Sequence, residues 1–130
     1  MSAQTIPDDL RYSKEHEWAK VTGDVARVGI THHAQDSLGD VVFIELPEVG
    51  STVEKGKRFG VVESTKAVSE LFAPVSGTVK GVNKALVDKP ETVNADPYGA
   101  AWMIDVQVSD TKDLDELLSP QAYGELLKTV

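Results

Sequence analysis

Short β-branched runs, each cut off by a glycine or proline turn, recur along this chain and point to a sandwich or barrel of antiparallel strands. Residues 18–21 and 25–30 flank Thr22-Gly23-Asp24 and read as a hairpin. Residues 41–46 are apolar and stop at Pro47, which cannot continue a paired strand. Val53, the turn Glu54-Lys55-Gly56-Lys57 and Phe59 give a further strand, a turn and a strand start. Residues 59–64 and 67–72 are two candidate strands around Thr65-Lys66, and residues 78–82 and 101–108 alternate. In the last of these Trp102, Ile104, Val106 and Val108 fall on one side. Helix is confined to two places. Thr31 is placed to cap a short helix through Leu38, ended by Gly39. The tail carries a Leu114, Leu117, Leu118 stripe expected to pack on the barrel, and Pro120 opens a last helix. Residues 86–98, with two prolines, read as a loop.

An internal echo accompanies this pattern. Leu46-Pro47-Glu48-Val49-Gly50 followed by Val53 resembles Ala73-Pro74-Val75-Ser76-Gly77 followed by Val79. The two copies flank Thr65-Lys66, as in a two-fold related pair of β units with that turn between them. A lysine at a hairpin tip is fixed at its backbone and free at its amine, so an acylating enzyme can single it out. It can equally be an ordinary solvated lysine. Thr-Lys is a poor primed-turn pair because threonine avoids positive φ, so the turn rests on its flanking strands.

Composition narrows the chemistry. Acids outnumber bases 21 to 13, a formal net charge of −8. That balance argues against nucleic acid and anionic membrane surfaces and suits basic patches on partner proteins. With no cysteine, disulfides, thiol catalysis and cysteine zinc sites are excluded, so redox chemistry must come from something attached or bound. No apolar run reaches the roughly 18 to 20 residues of a membrane span. The start MSAQTIPDDL resembles neither a signal nor a transit peptide, which leads to the expectation of a cytoplasmic protein. His32 and His33 would point about 100° apart on a helix and make a poor metal pair. No phosphate loop or Ser-His-Asp order is present, and no metal-binding or catalytic residue is expected. Trp18 and Trp102 read as core.

The stretch Glu63-Ser64-Thr65-Lys66-Ala67 resembles the E-S-x-K-A modification site of the glycine cleavage H-protein family, in which the lysine is lipoylated. The likeness continues through Tyr12 to Trp18 (Y-x-x-x-H-E-W), residues 28–31 with His33-Ala34-Gln35 and Leu38-Gly39-Asp40, and FIELPEVG at 43–50. It extends to residues 73–77 with Val82-Asn83, and to Asn94-Ala95-Asp96-Pro97-Tyr98 before Trp102. Thr65 stands where many members carry valine, Glu70 where they carry aspartate, and Ala100-Ala101 where Gly-Gly is common.

The resemblance implies a mainly β, lipoyl-domain-like barrel-sandwich hybrid with short helices and a C-terminal helix. It implies one lipoyl-carrier domain over residues 1–130, with the lipoyl-bearing hairpin at about 59–73 and a helical tail at about 110–130. Lipoic acid would be attached covalently to Lys66, with Glu17 and Glu70 at the family's cleft positions and Glu63 read by the lipoylating enzyme or a partner. The arm would shuttle the methylamine group of glycine from a pyridoxal-phosphate glycine decarboxylase (P protein) to a tetrahydrofolate-using aminomethyltransferase (T protein). A dihydrolipoamide dehydrogenase (L protein) would then reoxidise it. The expected molecule is a monomeric carrier and not an enzyme. Biotin carriers usually place methionine on both sides of the lysine, unlike Thr65 and Ala67. Lipoyl domains of 2-oxo acid dehydrogenases lack the His16-Glu17-Trp18 block and the helical tail. A protein that relays lipoyl groups to others remains an alternative, and so does a small binding barrel in which Lys66 is incidental.

Overall fold

The computed structural model describes residues 6–129, so the start of the N-terminal stretch and Val130 lie outside the described residues. Two antiparallel sheets make up the body. The larger joins β1 (Arg11–Tyr12), β2 (Glu17–Thr22), β3 (Val25–Ile30), β9 (Ile104–Val108), β8 (Gly77–Val82) and β5 (Thr52–Val53), in that order. The smaller has β6 (Arg58–Ser64) between β4 (Val41–Glu45) and β7 (Val68–Phe72), so β4 and β7 are its edges. The echoed segments pair with each other: Thr52 lies opposite Thr78 and Val53 opposite Gly77.

The core lies between the sheets. Alternation along β9 buries Ile104, Val106 and Val108, and β6 and β4 contribute Val62 and Ile44. Burial of such side chains supplies roughly 1.5–3 kcal/mol each before conformational entropy is charged against it. A second cluster joins Leu10, Tyr12 and Trp18 to Tyr123 of the C-terminal helix, with Tyr12 and Tyr123 stacked at 4.6 Å. Trp102 departs from the expected one-sided row. It precedes β9, is half-buried, packs against this second cluster and carries the Arg27 guanidinium 4.2 Å above its ring. The leucine stripe divides likewise: Leu117 and Leu114 meet the main core and Leu118 the second cluster.

The expected helix starts and stops are present. Thr31 caps α1 (His32–Leu38) by accepting from Ala34 N–H, and Gly39 ends it. Ser119 caps α5 (Pro120–Leu127) in the same way. A short α4 (Lys112–Asp115) precedes it. Residues 86–98 are not all loop: α2 (Lys84–Asp88) and α3 (Thr92–Ala95) each bury one apolar side chain, Leu86 and Val93. Helices this short carry no apolar periodicity to read, and tertiary packing holds them.

Candidate functional site

The turn between β6 and β7 is fixed at its backbone. Ser64 N–H donates to the Ala67 carbonyl at 2.8 Å, and Ser64 Oγ accepts from Ala67 N–H at 3.0 Å and Lys66 N–H at 3.3 Å. Neither Thr65 nor Lys66 takes a positive φ, so the threonine is not strained. Thr65 N–H donates to the Asp40 carbonyl at 3.0 Å, tying the turn to the bend after α1. Asn94 clips that bend from α3: its Nδ2 donates to the Gly39 carbonyl at 2.7 Å and to Gln35 Oε1 at 3.0 Å, and its Oδ1 accepts from Val41 N–H at 2.9 Å. On this frame the Lys66 side chain is exposed. Its stem lies over Gly39, where a Cβ would stand 3.3 Å from Lys66 Cε. Gly39 also has φ 78° and ψ −151°, a conformation that side chains disfavour. A glycine is required there by the backbone and gives the lysine room.

Glu17 is built in the opposite manner. His16 takes φ 70°, the one positive φ outside glycine among the described residues. The tight Ser13–Glu17 loop closes with Ser13 N–H donating to the Glu17 carbonyl at 2.8 Å and turns the Glu17 side chain inward. Its Oε1 accepts from the Ser13 hydroxyl at 2.6 Å and its Oε2 from Phe72 N–H at 3.3 Å. The residue is 2 % exposed. Burial pushes its carboxyl up to about 8, and those two donors, which favour the ionised form, offset only part of that.

A cavity of about 290 Å³ brings the predicted acids together. Glu17 and Glu70 line it along with the apolar Ile30, Leu38, Val62 and Leu71. Leu38 adjoins Gly39, so the lysine stem lies over a segment that forms one wall. Glu70 is exposed and reaches the cavity from edge strand β7. Glu63 is not part of it. Its cross-strand partners are Phe43 and Val68, while the inward residues of the same strands are Ile44 and Val62. Such a cavity suits an apolar chain that ends in a cation.

Sequence reasoning missed several contributors. His16 and His33 line the cavity with ring centroids 4.5 Å apart. Burial, then the neighbouring His33, holds the His16 imidazole below its ordinary value. The Tyr123 hydroxyl, pushed up to about 12 by burial, lies 2.8 Å from His16 Nδ1 and 2.7 Å from Thr31 Oγ1. No local pattern announces these long-range contacts. Among the described residues no group of three or more His, Asp or Glu side chains is arranged to hold a metal ion. No helix there is long and apolar enough to cross a membrane.

The profile of the family described as "Glycine cleavage H-protein" matches residues 10–130. The glycine cleavage system H protein of Myxococcus xanthus is 58% identical over 126 residues, covering 97% of this chain and 98% of that protein. That of Anaeromyxobacter sp. strain K is 61% identical over 118 residues, covering 91% and 92%. The crystal structure of a glycine cleavage system H protein from Mycobacterium marinum superposes with a TM-score of 0.87 at 46% identity, covering 95% of this chain and 99% of that one. With the fold and nearly the full length in agreement, the chain belongs to the glycine cleavage H-protein family, the lipoyl carriers of the glycine cleavage system.

Proposed function

We propose that Lys66 is the lipoylated residue and that the cavity beside Glu17 shelters the loaded end of the arm. One observation carries this reading: an exposed lysine amine on a backbone-rigid hairpin, its stem over Gly39, the chain neighbour of Leu38 in the wall of a mixed apolar and acidic cavity. When attached, lipoate supplies the redox and group-carrying chemistry. The chain's own residues present, shelter and position. Lys66 Nζ is the point of attachment, and Ser64 and Asn94 hold its turn in place. Ile30, Leu38, Val62 and Leu71 exclude water from an apolar arm. Glu17, kept protonated by burial, passes its proton to an amine cargo and then faces the resulting ammonium through a charge-assisted hydrogen bond. Glu70 adds charge from the cavity's edge, and Glu63, on the outer face, contributes to recognition by the lipoylating enzyme.

In this reading residues 1–130 act as one cytoplasmic, monomeric carrier domain, comprising the hairpin at 59–73 and the helical tail at 110–130. It contributes no catalytic residue. The reactions belong to its partners: glycine decarboxylase, aminomethyltransferase, dihydrolipoamide dehydrogenase and the lipoylating enzyme. Lys66→Arg keeps the charge but removes the acylatable amine. Incubated with lipoate and a lipoylating enzyme, the variant should keep its unmodified intact mass while the wild type gains one lipoyl increment. A full increment on the variant would refute the assignment.

A further inference from the structure

Two walls of the Glu17 cavity come from separate parts of the chain: the 13–17 loop, with His16 and Glu17, and α1, with His33, Ala34 and Leu38. The hydroxyl of Tyr123, a fully buried residue of α5, touches both. It lies 2.8 Å from His16 Nδ1 in the loop and 2.7 Å from Oγ1 of Thr31, the cap of α1. Thr31 N–H also donates to the His16 carbonyl at 3.0 Å, so loop and cap are joined at the backbone as well. The direction of the side-chain bonds follows from Thr31. Its Oγ1 accepts from Ala34 N–H, its own hydrogen goes to the Tyr123 oxygen, and the Tyr123 hydroxyl donates to His16 Nδ1. The reverse order would bring two further hydrogens' worth of demand onto one oxygen: Thr31 Oγ1 would accept twice, and its own hydrogen would find no acceptor among the described residues. Thr31 has no exposure to water, so that loss would be uncompensated. An accepting Nδ1 carries no hydrogen, which leaves the imidazole hydrogen on Nε2. A charged His16 needs a hydrogen on both nitrogens and therefore forces the unfavourable order.

We infer that Tyr123 is a positioning residue for the carrier cavity: its hydroxyl ties the Glu17 loop to the α1 wall and holds His16 in the Nε2–H tautomer. The inference deepens the carrier reading and, in its effect on the cargo, rests on it. A cationic cargo is repelled by a second cation in the same cavity. The titratable groups around His16 are His33 from α1, Tyr123 from α5, Glu70 from β7, and Glu15 and Glu17 from its own loop. Burial, then His33, lowers the imidazole's affinity for a proton, and a hydroxyl that bonds the neutral ring acts in the same direction. Tyr123, pushed up to about 12 by burial, stays a hydroxyl donor through the neutral range. The C-terminal helix thus keeps His16 from competing with the cargo for Glu17 and Glu70.

The test uses the full chain with isotope-labelled histidine. NMR of the imidazole nitrogens across pH, on the unmodified wild type, should show His16 as the Nε2–H tautomer with its midpoint below the ordinary histidine value. Tyr123→Phe keeps the ring stacked on Tyr12 and removes the hydroxyl. Its His16 should lose the tautomer preference, and the midpoint should rise. Tyr12→Phe removes a hydroxyl of the same cluster that donates to the Pro7 carbonyl, and should match the wild type in both respects. A thermal melt checks that the variants are folded. The lipoylated forms, loaded with glycine by glycine decarboxylase, are then followed by intact mass. Decay of the loaded form should be faster in Tyr123→Phe than in the wild type, the ratio growing to about threefold or more as pH falls from about 8 to about 6. In Tyr12→Phe the ratio should not change with pH. An Nδ1–H tautomer in the wild type overturns the inference whatever the variants do. A Tyr123→Phe ratio equal at every pH also overturns it, reducing the residue to packing. A lipoylated wild type that cannot be loaded at all would instead strike at the carrier reading and leave the tautomer result standing.

Discussion

The Ser13–Glu17 loop borders the cavity, the Lys66 turn joins the two strands that supply Val62 and Leu71 to its walls, and the two solve opposite problems. The turn fixes its backbone through Ser64, Asp40 and Asn94 and leaves a charged side chain in water. The loop accepts a left-handed His16 and holds a carboxyl out of water, with Ser13 and Phe72 satisfying both oxygens. A lysine to be acylated must be reachable by another protein. A carboxyl that stabilises a cation is worth far more when desolvated, because exposed pairs contribute only about 0–1 kcal/mol. In the proposed function the contrast separates a presenting end from a sheltering end.

Four substitutions at three positions probe that division, taken from the largest effect down. Gly39→Ala attacks the presenting end. The required backbone conformation costs a side chain about 1–3 kcal/mol, and the new Cβ crowds the lysine stem. The melting temperature should fall at every pH, and lipoylation, followed by intact mass at a temperature where the variant is folded, should slow. Equal rates and equal melting temperatures would show that the stem does not depend on that glycine.

Glu17→Gln attacks the sheltering end. In the folded chain the Glu17 carboxyl is raised from 4.5 to about 8. The folded state thus binds this proton more tightly than the unfolded one. The resulting stability is complete below about pH 4.5 and is lost as pH rises through about 8. Glutamine mimics the protonated form without titrating. The wild type should therefore lose stability relative to Glu17→Gln by on the order of 2 kcal/mol between about pH 6 and pH 9. Parallel denaturation curves across that range would mean the carboxyl is not desolvated.

The smallest effect is kinetic. Glu17→Ala should shorten the lifetime of the methylamine-loaded form, read as decay of the loaded mass, without preventing lipoylation of Lys66. Glu70→Ala, which removes an exposed acid, should shorten it by no more than about twofold, in keeping with the weakness of exposed pairs. If both variants decay like the wild type, neither acid holds the cargo.

The two regions also differ in how far sequence discloses them. The hairpin strands around Lys66, the Thr31 cap with its Gly39 stop, and the Pro120 helix start follow from local signals, and all are present. Glu17 offered no such signal. An acid beside a tryptophan can as well be solvated, and only family resemblance placed it near a cleft. Its burial depends on a positive φ at His16 and on the amide of Phe72, 55 residues away. The helices α2 and α3 were hidden for the same reason: Leu86, Val93 and Asn94 are held by contacts distant in sequence. Trp102, outside β9, likewise finds partners distant in sequence, the second cluster and Arg27 on a neighbouring strand.

The central claim is that one lysine, and no other, bears the arm. Fragment-level mass spectrometry of the chain, lipoylated to completion and digested with a protease that does not cut at lysine, tests it most directly. The account predicts a single lipoyl increment localised to Lys66, with every other lysine unmodified. An increment localised to any other lysine, or an unmodified Lys66 in a lipoylated chain, would contradict it.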